Sequence, residues 1–271
     1  MPESPFAPAI GGKLLARMYW VSTFLLAAAF LSALAAVGTK SDTNLPEAWL
    51  LVFATVSTLA ALARQLPAQN VLLAALITAL IGGGAHIFGV KSGIPFGPFM
   101  FGLDAGMKLF GTLPWILPLL WVAAVLNSRG VARLVLRPWR KVRAYGFWLM
   151  GLTALFTMLF DCALEPFAAH IKHYWIWTAG GFSLAPQGAP VSNSVGWFIV
   201  TLLILAFATP ALINKQLSKR RAPDFHPLAV WLGAVLLFGV ASALHGFWLA
   251  VGADAVVGLV TAGFAIRGAR W

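Results

Sequence analysis

The chain has 271 residues, of which 60% are hydrophobic and only 10% charged, and its mean hydropathy is +0.85. That composition excludes an ordinary soluble globular protein and places the chain in the membrane class. The formal net charge of +11 falls in loops between apolar runs, where it suits anionic headgroups; no basic patch is interleaved with stacking aromatics, so nucleic acid is not an expected partner.

Apolar runs long enough to cross a bilayer, about 20 residues each, begin near Leu14, Pro46, Val71, Leu109, Ala144, Val195 and Leu228, and a shorter one begins near Ala253. The expected fold is an all-α polytopic membrane helix bundle with about eight spans, a single transmembrane domain over residues 1–271. With the N-terminus inside, fifteen of the 19 basic residues lie on the inner side, among them Lys13, Arg17, Arg64, Arg129 to Arg143, Lys215, Lys219, Arg220, Arg221, Arg267 and Arg270. Only Lys40, Lys91, Lys108 and Lys172 remain outside. This bias predicts cytoplasmic termini and an even number of crossings; the expected location is a cytoplasmic membrane of the bacterial or archaeal type. The lone cysteine, Cys162, excludes an internal disulfide and a cysteine-rich metal site.

The first span carries Tyr19 and Trp20 near its inner end, where aromatic belts sit. Pro46 and Glu47 open the second as an N-terminal proline and a first-turn acid. In the outer half of the third, Gly82, Gly83 and Gly84 each cost about 1 kcal/mol against alanine. They serve either close helix contact or admission of a flat ligand. The stretch Ser92 to Trp115 then interleaves glycines and prolines with Pro95, Phe96, Gly97, Phe99 and Phe101, and reads as a wall of definite shape. It carries Asp104 and Lys108 four residues apart, which on a helix would form an ion pair.

The fifth span ends with Asp161 and Glu165 at i and i+4, on one helix face. Acids inside an apolar helix cost about 2.5–3.5 kcal/mol each by insertion scales and mark cavities or function, although Pro166 leaves Glu165 a second reading in the headgroup zone. Next, the alternation Tyr174-Trp175-Ile176-Trp177 suggests a segment lying on the outer interface. His170 and His173 lack a clear third metal ligand. His245 and Asp254 flank the last turn. The topology thus gathers His86, Asp104, Lys108, Asp161, Glu165, His245 and Asp254 in the outer half, which predicts a cavity there for a hydrophobic substrate entering from lipid. Walker, zinc-helix, paired aspartate and dinucleotide motifs are all missing, so no metal or other cofactor is expected.

Three ordered blocks carry a resemblance. The run Pro95-Phe96-Gly97-Pro98 onward with Lys108, Gly111, Pro114 and Trp121, then Asp161 with Leu164-Glu165-Pro166, then Gly188, Pro190, Asn193, Gly196 and Trp197, resemble the membrane carotenoid-biosynthesis family of the bisanhydrobacterioruberin hydratase and γ-carotene hydratase type. The resemblance covers roughly residues 82 to 201. It implies addition of water to the terminal double bond of a carotenoid or related polyprenoid by acid catalysis, with Asp161 as the acid, Glu165 orienting or activating water and Asn193 hydrogen-bonded in support. With the residues that the topology gathers in the outer half, the expected substrate-binding wall comprises His86, Pro95, Phe96, Gly97, Phe99, Phe101, Asp104, Lys108, Trp115, Trp197 and His245. The chain departs from the pattern at His86 for Glu, Phe99 and Phe101 for tyrosines, and Glu165 for Asp, which marks a divergent member.

The alternative from another class is a non-catalytic membrane protein that binds a carotenoid or isoprenoid, or a subunit of a pigment complex. A small transporter is disfavoured because no internal repeat is evident and polar residues are scarce through the inner half.

Overall fold

The computed structural model describes residues 9–40, 43–178, 182–183, 188–213 and 222–271. The basic positions Lys215, Lys219, Arg220 and Arg221 lie outside them. Eight long helices follow in order: α1 (Ala9–Gly38), α2 (Leu45–Ala63), α3 (Ala68–Ser92), α4 (Leu117–Val135), α5 (Tyr145–Glu165), α6 (Val191–Ala208), α7 (His226–Leu244) and α8 (Trp248–Ala269). Seven are long and apolar enough to cross a membrane, and the exception is α4. The all-α membrane bundle expected from composition is what forms.

α4 stands at the centre of the bundle. Every residue from Leu120 to Arg129 is buried, including Asn127, Ser128 and Arg129. A helix that faces protein on all sides needs no lipid-compatible surface, so polar groups are tolerated where partners exist. Asn127 Nδ2 donates to Thr58 Oγ1 on α2 at 2.9 Å and to Ala123 O at 2.8 Å, while Arg129 donates to Leu212 O at 3.1 Å.

Two boundaries differ from expectation. The fourth helix begins at Leu117 instead of Leu109, because Phe110 and Gly111 both take positive φ, at 51° and 67°, and turn the chain into a hairpin of β2 (Lys108–Leu109) with β3 (Leu113–Pro114). The last helix begins at Trp248 and runs 22 residues, so the apolar run expected to be short is long enough to cross.

The segment Ser92 to Trp115 folds as an extended wall at one end of the bundle. Its β1 (Phe99–Phe101) pairs antiparallel with β4 (Trp175–Trp177), with Phe99 opposite Trp177 and Phe101 opposite Trp175. The expected interfacial segment is therefore a strand. Side chains two apart on a strand share a face, so the alternation that suggested a membrane surface instead sends Trp175 inward, where it is buried. The expected Asp104–Lys108 helical ion pair is also corrected: Asp104 sits in a short 3₁₀ turn (Leu103–Ala105), Lys108 in β2, and Lys108 Nζ donates to Phe101 O at 3.2 Å.

Candidate functional site

Helix α5 does not stop at Pro166. It passes into a π-helical turn (Pro166–Ile171), which carries the chain over the end of the bundle and hands it to β4. That path determines the surroundings of both acids. Asp161 is completely buried, and Asn193 Nδ2 of α6 donates to its Oδ2 at 2.7 Å. Its other oxygen, Oδ1, has no hydrogen-bond partner among the described residues.

Glu165, one turn further on, is 1% exposed, which rules out the headgroup reading. Trp175 Nε1 donates to its Oε2 at 3.1 Å, and Trp177 Nε1 donates to its Oε1. Both indoles come from one face of β4. Each carboxylate oxygen keeps a further lone pair for a water or ligand.

An aromatic box lies beside these acids. The ring of His86 on α3 stacks on Phe96 at 4.3 Å between centroids and 11°, and Phe99, Phe101, Trp121 and Trp197 stand within 6.0 Å of it. Trp121 and Trp197 stack on each other at 4.0 Å. Such pairs contribute about 0.5–1.5 kcal/mol beyond the area they bury. His86 is buried, and neither ring nitrogen has a hydrogen-bond partner among the described residues.

Small residues make the box possible. A Cβ on Gly82 would collide with the Trp121 indole, and one on Gly196 would come within 2.8 Å of Phe96 and 3.0 Å of Pro95 O. Of the two readings for the glycine run, Gly82 therefore serves close helix contact, the bulky flat group being the chain's own tryptophan. Gly97 takes φ +99°, a conformation that side chains rarely adopt, and lets Ser192 Oγ donate to Phe96 O at 3.1 Å.

A second feature opens on the other face of α5. A cavity of about 730 Å³ runs between α1, α2, α4, α5 and α7. Phe160, Leu164, Phe167 and Trp231 line its walls, while Asn44, Glu47, Asp104 and Tyr174 stand at the end where α2 begins. Glu47 is ion-paired with Lys172 at 2.8 Å, Tyr174 OH donates to Asn44 Oδ1 at 3.3 Å, and Asn44 Nδ2 donates to Asp104 O at 2.7 Å. Burial, and then the carboxylates of Glu47 and Asp104, push the Tyr174 phenol above its ordinary range, so it stays a neutral donor.

The expected site residues thus divide between two places. Asp161, Glu165 and Asn193 gather beside the box of His86, Phe96, Phe99, Phe101 and Trp197, with Pro95 and Gly97 shaping its floor. Asp104 and Trp115 line the cavity instead. Lys108 is exposed on its hairpin, and His245 is exposed at the end of α7, where its Nδ1 lies 2.9 Å from Ala241 O. Sequence reasoning missed Trp175 and Trp177 as partners of Glu165, although their i, i+2 spacing was the available signal. It also missed Asn44 and Tyr174, whose meeting across 130 positions leaves no local trace.

The sequence profile of a family described as "Carotenoid biosynthesis protein" matches residues 47–261. Bisanhydrobacterioruberin hydratase of Haloarcula japonica is 30% identical over 191 residues, covering 69% of this chain and 61% of that protein. The chain therefore spans less than two thirds of that relative's length. No solved structure matches.

Proposed function

The chain belongs to the carotenoid biosynthesis protein family, and from that premise we propose that it is a hydratase of the cytoplasmic membrane, adding water across the terminal double bond of a carotenoid or related polyprenoid. The observation that carries the reading is Asp161: a fully buried carboxyl, held on one oxygen by Asn193 and without a partner on the other.

In the proposed reaction, a protonated Asp161 delivers the proton on Oδ1 to the terminal alkene. A C–H bond forms, the π pair is consumed, and a tertiary carbocation remains at the neighbouring carbon. Water then adds to that carbon and returns one proton to Asp161, so the net change is one water gained. Asn193 fixes the rotation of the acid through Oδ2, and Glu165, tethered by two indoles, orients the water. The faces of Trp121, Trp197 and their neighbours stabilise the cation. A positioned acid of this kind contributes about 100- to 10,000-fold.

Co-expression with a pathway producing linear carotenoids tests the reading. The expected outcome is a product heavier by one water, lost about 100-fold or more in Asp161→Asn. Product formed at the parental rate by that variant would overturn the acid assignment. A second reading, a carotenoid-binding protein without catalysis, is favoured by one observation: His86, Phe99 and Phe101 close the box with rings that donate no hydroxyl. Pigment that co-purifies unchanged would support it.

A further inference from the structure

The cavity between α1, α2, α4, α5 and α7 is elongated. Its lining runs along α4 from Leu117 to Asn127 and along α7 from His226 to Phe238. At 1.5 Å per residue the slot extends about 15–18 Å along the helices, and its volume then implies a cross-section of about 40–50 Å². Its shape is a rod's, and its walls are mainly apolar, with aliphatic side chains outnumbering the aromatic ones. Leu31 on α1 and Leu236 on α7, both in the lining, are 64% and 57% exposed, which gives a lateral entrance from the bilayer.

Polar groups stand at both ends: Asn127 and His226, whose Nε2 has no hydrogen-bond partner among the described residues, at one, and Asn44, Glu47, Asp104 and Tyr174 at the other, where α2 begins. Glu47 keeps only 9% of its side-chain surface exposed, faces the slot, and its Oε2 has no hydrogen-bond partner among the described residues. Such an acceptor, buried and unpaired, is costly unless a ligand meets it. Lys172 already balances the charge of Glu47, and the Tyr174 hydroxyl is spent on Asn44. The cap therefore offers Glu47 Oε2 as an unpaired acceptor, and Asp104 beside the balanced Glu47–Lys172 pair leaves it net negative, which repels an anionic end. What fits is a neutral donor, a hydroxyl.

We infer that this slot is a binding site for a linear, methyl-branched isoprenoid chain carrying a terminal hydroxyl, held along the membrane normal with its hydroxyl on Glu47 Oε2. The inference takes the class of its ligand from the function proposed above; its place and polarity come from the slot itself. The slot is separated from the acids by the cross-strand pair Phe101 and Trp175: both line it, Phe101 also flanks His86, and Trp175 also holds Glu165. A hydrated chain end leaving the acid centre thus has a receiving site on the far side of that pair.

The test is binding to the full chain in nanodiscs, read by the polyene absorption band and by tryptophan quenching, with lycopene and 1-hydroxylycopene as probes. The hydroxylated probe is expected to bind about tenfold tighter, and Glu47→Gln to reduce that preference to about threefold or less. Ala123→Phe on α4 fills the slot and is expected to abolish binding of both. Gly233→Leu on α7 does the same from the opposite wall, where a Cβ meets only Phe30 at 3.8 Å, so a folding failure of one variant leaves the other decisive. Unchanged binding in both filled variants overturns the slot, and equal affinity for the two probes overturns its polar cap. Binding in the slot without any hydrated product in cells would sink hydration alone, whereas hydrated product with unchanged binding in the filled variants would sink the slot alone.

Discussion

Asp161 and Asn193 form an exacting contact, since both side chains are buried and water cannot replace either. Asn193→Ala would leave the carboxyl with no partner on either oxygen. The expected loss is about 1–3 kcal/mol of stability, measured by thermal unfolding in nanodiscs, with Asn193→Asp no better because it sets two acids together. Glu165→Gln is subtler. The shape is kept, but an amide NH₂ then faces one of two indole donors. About 1–3 kcal/mol is again expected to be lost, with a change in tryptophan emission from Trp175 or Trp177. An unaltered melt and spectrum in Glu165→Gln would mean that the two indoles do not hold this acid.

Helix contacts are governed by what stands between elements, and here small residues set the distances. Gly196→Ala on α6 would press on Phe96 and on the Pro95 carbonyl; the latter is backbone and cannot rotate away. The expected cost is about 1–3 kcal/mol. Because the displaced wall carries Phe96 into His86, the change should also lower ligand affinity; a variant with parental melting and binding would show that this approach is not needed. Such contacts explain what was legible in the sequence. Helix number follows from apolar length, and Asp161 and Glu165 stand out as acids inside an apolar helix, whereas Asn193, ahead of the expected apolar run, is reached only through the resemblance to the family. β1 and β4 were missed because each is three residues long and pairs across 76 positions, so neither leaves a periodic pattern of its own. The Asp104–Lys108 reading failed for a related reason: four-residue spacing implies contact only on a helix, and Gly102 and Gly106 bracket a single turn there.

At the scale of the whole molecule, charge predicts the orientation, because basic residues resist transfer across the bilayer and gather at one set of loops. Both features described above lie toward the opposite end, where Glu47 opens α2 and Asp161 and Glu165 close α5. The charge bias predicts that the buried acids and the polar cap lie in the outer half. Labelling with a membrane-impermeant maleimide decides this. The sole cysteine is removed as Cys162→Ser, and single cysteines are placed at Met107, 79% exposed on the wall, and at Lys141, exposed in the loop before α5. Met107→Cys should react in intact cells and Lys141→Cys only after permeabilisation. The reverse pattern would invert the protein and bring a chain end under Glu47 to the cytoplasmic face, while leaving the internal geometry of acids, box and slot as it is.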